Sequence, residues 1–127
     1  MMNSNCGFEH EYNEGELYVR LRGEIDHHSA AMLRGDIDTL IYEKRPQRLL
    51  LDLSGVGFMD SSGLGLIMGR YSLVREFGGS MAILDPAEPI MKILNLAGIK
   101  RIIAIEKTKG AKKKWGTRAF RRLSETK

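Results

Sequence analysis

RLLLDLSGVGFMDSSGLGLIMGRY, residues 48–71, decides the fold. Arg48 to Leu53 is an apolar run broken only by Asp52, the pattern of a central strand covered on both faces. A polar, glycine-containing loop, Phe58-Met59-Asp60-Ser61-Ser62-Gly63, follows it. Beyond the loop, Leu64, Ile67, Met68, Tyr71 and Val74 recur at helical spacing until Gly78-Gly79, where glycine can take the left-handed turn that ends helices. Strand, loop and helix in that order form half of a crossover unit, whose completion needs a parallel strand beyond it.

Working outward, Ser80 to Leu84 supplies that strand, and Pro86 opens a third helix with Ile90, Ile93, Leu94 and Ala97 on one face and Gly98 at its end. Arg101 to Ile105 is the last strand expected. Upstream, Phe8 to Tyr12 and Glu16 to Arg22 flank the turn cluster Asn13-Glu14-Gly15 and predict a β-hairpin. Ser29 is the expected N-cap of a first helix reaching Glu43, with Leu33, Ile37, Leu40 and Ile41 inward and Arg45-Pro46 as its stop. The prediction is a single α/β domain over residues 8–106: a mixed sheet of about five strands with helices mainly on one face, after a flexible leader at 1–7.

Charge is divided unevenly. Residues 107–127 carry nine Lys or Arg against one acid, while the rest of the chain holds 11 basic and 15 acidic side chains. The domain is therefore mildly acidic and the tail strongly basic. In that tail Ala111, Trp115, Ala119 and Leu123 step by four, with Phe120 beside them and Lys112, Lys113, Lys114, Arg118, Arg121 and Arg122 around them. The tail reads either as a basic amphipathic helix for anionic surfaces or as a last helix folded back on the sheet. Cys6 is the only cysteine, and no apolar run approaches the length that crosses a bilayer, so a cytoplasmic protein is expected.

The loop at 58–63 stands where a helix begins and backbone N–H groups lack intrahelical partners, an environment that tolerates an anion. Asp60 and Ser61 serve there as caps, as a phosphorylation site, or as both. A dinucleotide fold is the enzyme alternative, with Gly63, Gly65 and Gly69 after a strand and Asp85 placed for a ribose, but Asp60-Ser61-Ser62 fills the place of the tight glycine turn. A serine hydrolase fits less well than that alternative, since Ser61 has Met59 two residues before it and no histidine follows. His27 and His28 lack a third ligand at metal spacing.

The segment 51–71, LDLSGVGFMDSSGLGLIMGRY, resembles the signature of the anti-sigma factor antagonists of the STAS family, and Gly23-Glu24-Ile25-Asp26-His27-His28 is similar to the matching loop of their sporulation subgroup. That resemblance implies a regulator that is not an enzyme and needs no cofactor. Its partners would be an anti-sigma factor that is a serine kinase and a phosphatase that restores the serine. It implies Ser61 as the phosphorylated residue, and release of a sigma factor, sigma F in the sporulation subgroup, by the unphosphorylated form. A stress-response antagonist is the alternative within the family. Loops after parallel strands gather at one edge, so Asp26 and Asp60 are expected to flank Ser61. With them His27, Ser62, Gly63 and Leu66 form the expected partner surface. Leu66 lies off the main apolar stripe of its helix, either exposed for a partner or sandwiched within the domain. Neither nucleic acid nor a membrane span is expected of the domain.

Overall fold

The computed structural model describes residues 6–108. The expected leader and basic tail therefore lie outside the described residues, apart from the positions bordering the domain. β1 (Gly7–Asn13) and β2 (Glu16–Ile25) form the antiparallel hairpin, turned at Glu14 and Gly15, both at positive φ. α1 (His27–Lys44), β3 (Arg48–Met59), α2 (Ser61–Glu76), β4 (Ser80–Leu84), α3 (Glu88–Leu96) and β5 (Ala104–Glu106) follow, with a 3₁₀ turn at Ile99–Arg101 before β5. The sheet order is β1-β2-β3-β4-β5, antiparallel only at the hairpin. This is the mixed five-stranded α/β arrangement expected.

Period-two alternation divides the sheet into two faces. Leu17, Val19 and Leu21 of β2, Leu49, Leu51 and Leu53 of β3, and Met81 and Ile83 of β4 point to one side, where they meet Leu33, Ile37 and Ile41 of α1, Ile67 and Val74 of α2, and Ile90 and Leu94 of α3. Tyr18, Leu50, Ala82 and Leu84 form a separate cluster on the other side. Asp52 shares that second face, where its carboxylate accepts the Tyr18 hydroxyl at 2.5 Å and the Ser54 N–H at 2.8 Å. Burial, with the carboxylate beside it, pushes the Tyr18 phenol well above its ordinary pKa and keeps it a donor.

Several boundaries differ from expectation: β2 continues past Arg22 to Ile25, and the last strand, expected from Arg101 to Ile105, is confined to Ala104–Glu106 because Ile99–Arg101 winds into the 3₁₀ turn. α1 starts two residues early because Asp26, not Ser29, is its N-cap. β3 runs on to Met59 because its pairing with β2 continues, through irregularities near Gly55, as far as Ile25. At Gly55 a Cβ would meet the Leu21 carbonyl oxygen at 2.9 Å, so glycine lets the two strands stay together there. α3 begins at Glu88 with Pro89 in its first turn, leaving Pro86 in the connection; the missing N–H of Pro89 costs nothing there.

The apolar stripe of α2 is also rotated from the one expected: Leu66, Ile67, Arg70 and Val74 are buried, whereas Leu64, Met68 and Tyr71 are partly covered. Arg70 is the unexpected member. Its Nε lies 2.8 Å from Asp38 Oδ1 of α1, an ion contact in which the N–H does not point at the oxygen. Burial lowers the guanidinium's pKa and Asp38 opposes that shift. Asp38→Ala removes the counter-charge of a buried cation between two helices, and is expected to lower stability by about 3 kcal/mol. Urea unfolding checks this; a midpoint within experimental error of the parent would mean that Arg70 finds water in its place.

Candidate functional site

Parallel pairing of β2 and β3 places Glu24 beside Phe58 and Ile25 beside Met59, so the starts of α1 and α2 emerge at the same sheet edge. The Asp60 N–H donates to the Ile25 carbonyl at 3.2 Å and ties the two loops together. The expected approach of Asp26 to the Asp60-Ser61 loop is thus present, produced by strand register rather than by side-chain contact.

Each loop ends in an aspartate cap. Asp26 accepts the Ser29 N–H at 2.9 Å, while its own N–H donates to Ser29 Oγ at 2.9 Å, a reciprocal capping box. The buried Ser29 hydroxyl reaches back to the Glu24 carbonyl at 2.9 Å and holds the loop from inside. Donation first from the Ser29 backbone N–H and then from its hydroxyl draws the Asp26 pKa below the ordinary 3.8. A carboxylate whose folded pKa is depressed stabilises the fold above its unfolded pKa and loses that contribution as pH falls through the lower folded value. Asp26→Ala should therefore reduce the thermal midpoint modestly near pH 7 without collapse of the fold. On acidification to pH 3 the parent should lose more of its midpoint than the variant; equal losses would remove the cap from the account.

Asp60 caps α2 through Oδ1, which accepts the Ser62 N–H at 2.8 Å, and its carbonyl accepts the Gly63 N–H at 2.9 Å. Two of the donors at this helix start are thus already engaged by Asp60 itself. Ser61 occupies the first helical position and is exposed; Ser62 is half-buried, and the hydrogen bond that holds it to the loop is made by its backbone. Ser62→Ala therefore leaves that bond intact.

Gly63 is buried against the sheet edge, where a Cβ would stand 2.0 Å from Met59 Cγ and 3.3 Å from Ile25 Cγ2. Its role is close packing under the loop rather than phosphate binding. Alanine is the better helix former by about 1 kcal/mol, but overpacking a core typically costs 1–3 kcal/mol, and this overlap belongs at the upper end. Gly63→Ala should lower stability by about 1–2 kcal/mol, with Met59→Ala partly relieving it in the double variant. A raised urea midpoint for Gly63→Ala would show that Met59 moves aside freely.

Between the helices a cleft of about 310 Å³ is lined by His27, Ala30, Ala31 and Arg34 of α1 and by Ser62, Gly65 and Leu66 of α2. It brings together three of the expected partner residues, His27, Ser62 and Leu66. Leu66, however, is 4% exposed and belongs to the core, so the open apolar stripe does not exist and the sandwiched alternative holds. Arg34 in the cleft escaped the sequence reading, and Phe58, expected in the loop, lies instead near the end of β3 and is 49% exposed. An exposed aromatic in a strand otherwise rich in buried residues becomes visible only once the register is known.

The described residues contain no group of three or more metal-binding side chains, and no described helix is long and apolar enough to cross a membrane. Asp85, the expected ribose acid of the nucleotide-binding alternative, instead binds the N–H and the hydroxyl of Thr108. With Gly63 packed inward, neither element of that alternative is placed for a nucleotide.

Residues 8–111 match the STAS domain family. The anti-sigma F factor antagonist of Paenibacillus polymyxa is 42% identical over 80% of this chain and 86% of its own length. The anti-sigma-B factor antagonist of Bacillus subtilis is 33% identical over 80% of this chain and 91% of its own. Among solved structures, the anti-sigma factor antagonist SpoIIAA in its unphosphorylated form superposes with a TM-score of 0.70 at 27% identity, covering 87% of this chain and 97% of that one. The Bacillus cell fate determinant SpoIIAA in its phosphorylated form gives 0.65, again at 27%, over 85% and 98%.

Proposed function

The chain belongs to the STAS domain family, and from that premise we propose that it is an anti-sigma factor antagonist switched by phosphorylation of Ser61. Unphosphorylated, it binds an anti-sigma factor that is also a serine kinase and so frees the sigma factor; phosphorylated, it lets go, and a phosphatase resets it. The observation that carries this reading is the position of Ser61: exposed, at the first residue of α2, between the cap Asp60 and the cleft lined by His27, Arg34 and Ser62. That a similar protein is known both unphosphorylated and phosphorylated supports the switch.

Asp26, His27, Asp60, Ser62 and Gly63 serve this site by shaping and presenting the acceptor edge, and Phe58 extends it. Leu66 supports the floor of the cleft from the core. Sigma F is favoured over sigma B because the sigma F antagonist is the nearer of the two relatives, 42% against 33%. Work in sporulation, in the cytoplasm, follows from that choice. Incubation with an anti-sigma F kinase and ATP, followed by peptide mass mapping, tests the reading: one phosphate should appear, on the peptide that contains Ser61. No uptake of phosphate, or uptake outside residues 58–66, overturns it.

A further inference from the structure

The cleft between α1 and α2 differs in charge from the domain around it. Outside the basic tail the chain holds 11 basic against 15 acidic side chains, yet the seam between these two helices is cationic. Arg34 is exposed on the cleft wall, and no acid among the described residues pairs with it. Asp38, one turn further along α1, is already held by Arg70, whose Nε lies 2.8 Å from its Oδ1. Burial lowers the Arg70 pKa, Asp38 opposes that shift, and the nearby charge of Arg34 lowers it further. Two arginines against one carboxylate leave a positive charge over, which favours an anion in the cleft.

The cleft is open because small residues line it. Gly65 stands in the interior of α2, where glycine is a poor helix former, at an ordinary negative φ, and a Cβ there would meet nothing within 4 Å. Unlike Gly63, it is not required by packing inside the domain; it leaves room for atoms from outside. The buried part of the lining is apolar, Leu66 and Ala30, and the exposed part carries Arg34 and His27. A bare phosphate would use only the second. A side chain with methylenes that ends in a carboxylate uses both.

We propose that this cleft receives an acidic side chain of the anti-sigma kinase, its methylenes against Leu66 and Ala30 and its carboxylate on the Arg34 guanidinium. The inference rests on the antagonist reading above and adds to it a residue that selects the partner. Arg34 offers two parallel N–H donors to a carboxylate, a geometry that lysine lacks. The cleft is continuous with the acceptor edge, since Ser62, the neighbour of Ser61, lines it. A carboxylate seated there therefore lies close to the acceptor, and a phosphate on Ser61 brings a like charge toward it.

Calorimetric titration of the full chain against an anti-sigma F kinase, with Arg34→Ala, Arg34→Lys and Arg34→Glu beside the parent, tests this. Because Arg34 is exposed, the three variants should keep the parent's urea midpoint. Affinity should fall by about tenfold or more for Arg34→Ala and by about a hundredfold or more for Arg34→Glu, with Arg34→Lys between the parent and Arg34→Ala. Added sodium chloride should weaken the parent more steeply than Arg34→Ala. In the complex of Arg34→Lys, a zero-length carbodiimide should join the amine at position 34 to a glutamate or aspartate of the kinase, located by peptide mapping; should Arg34→Glu lose its fold, this bond decides. A parent that binds no anti-sigma kinase overturns the antagonist reading and this inference together. A parent that binds and is phosphorylated, while a folded Arg34→Glu binds equally well, overturns this inference alone. So does a complex in which position 34 forms no such bond, or a loss in Arg34→Glu confined to the Ser61-phosphorylated protein, which would give the cleft to this chain's own phosphate.

Discussion

Ser61→Ala is expected to abolish phosphoryl transfer to this protein while leaving its fold and its binding to the anti-sigma kinase in place. The hydroxyl stands at the first position of α2, exposed, and no hydrogen bond of the loop depends on it: Asp60 caps through Ser62 and Gly63, and Asp60 is in turn tied to Ile25. Its removal therefore deletes the nucleophile without disturbing what presents it. Ser62 is the control. Half-buried and lining the cleft, it is one residue further into the helix and less exposed than Ser61. Labelling with radioactive ATP should fall below a hundredth of the parent rate for Ser61→Ala and stay within about tenfold for Ser62→Ala, as for a group that positions rather than reacts. Normal labelling of Ser61→Ala, with loss in Ser62→Ala, would move the acceptor by one residue.

The order of strands and helices was legible because each carries its own period: β2 alternates, β3 is apolar throughout, and α1 repeats at helical spacing. The shared edge of Asp26 and Asp60 was legible from topology alone, since parallel strands send their following loops the same way. What escaped depends on partners distant in sequence. Ser29 has the chemistry of an N-cap and occupies a capping box, but at its third helical position; only the reciprocal bond with Asp26 fixes the start. β3 extends to Met59 because β2 is there to pair with it, which no local propensity states. On α2 the small residues Gly63, Gly65 and Gly69 weaken the apolar contrast, so the spacing picks out Leu64, Met68 and Tyr71 together with the buried Ile67 and Val74, while Leu66 and Arg70 are buried as well. An arginine in a core can be read only once Asp38 is seen opposite it.

Phosphorylation of Ser61 should weaken binding to the anti-sigma kinase by about a hundredfold or more, which is about 2.7 kcal/mol. A helix start can absorb an anion when its N–H groups are unclaimed, but here the Asp60 carboxylate and carbonyl already hold those of Ser62 and Gly63. The phosphate therefore adds nearly two negative charges beside an existing one, at an exposed position, and presents them to the partner instead of burying them in its own loop. Like charges brought together at a complementary interface cost several kcal/mol, enough for the effect stated. Ser61→Asp supplies about half that charge and less bulk, and should fall between the phosphorylated and unphosphorylated forms. Calorimetric titration of the three against one kinase orders them, and equal affinities would remove the switch. Since the added group stands at the edge formed by the starts of α1 and α2, amide shifts on phosphorylation should stay within residues 24–34 and 58–66. Shifts spreading along β4 and α3 would mean that the fold itself, and not the local charge, carries the signal.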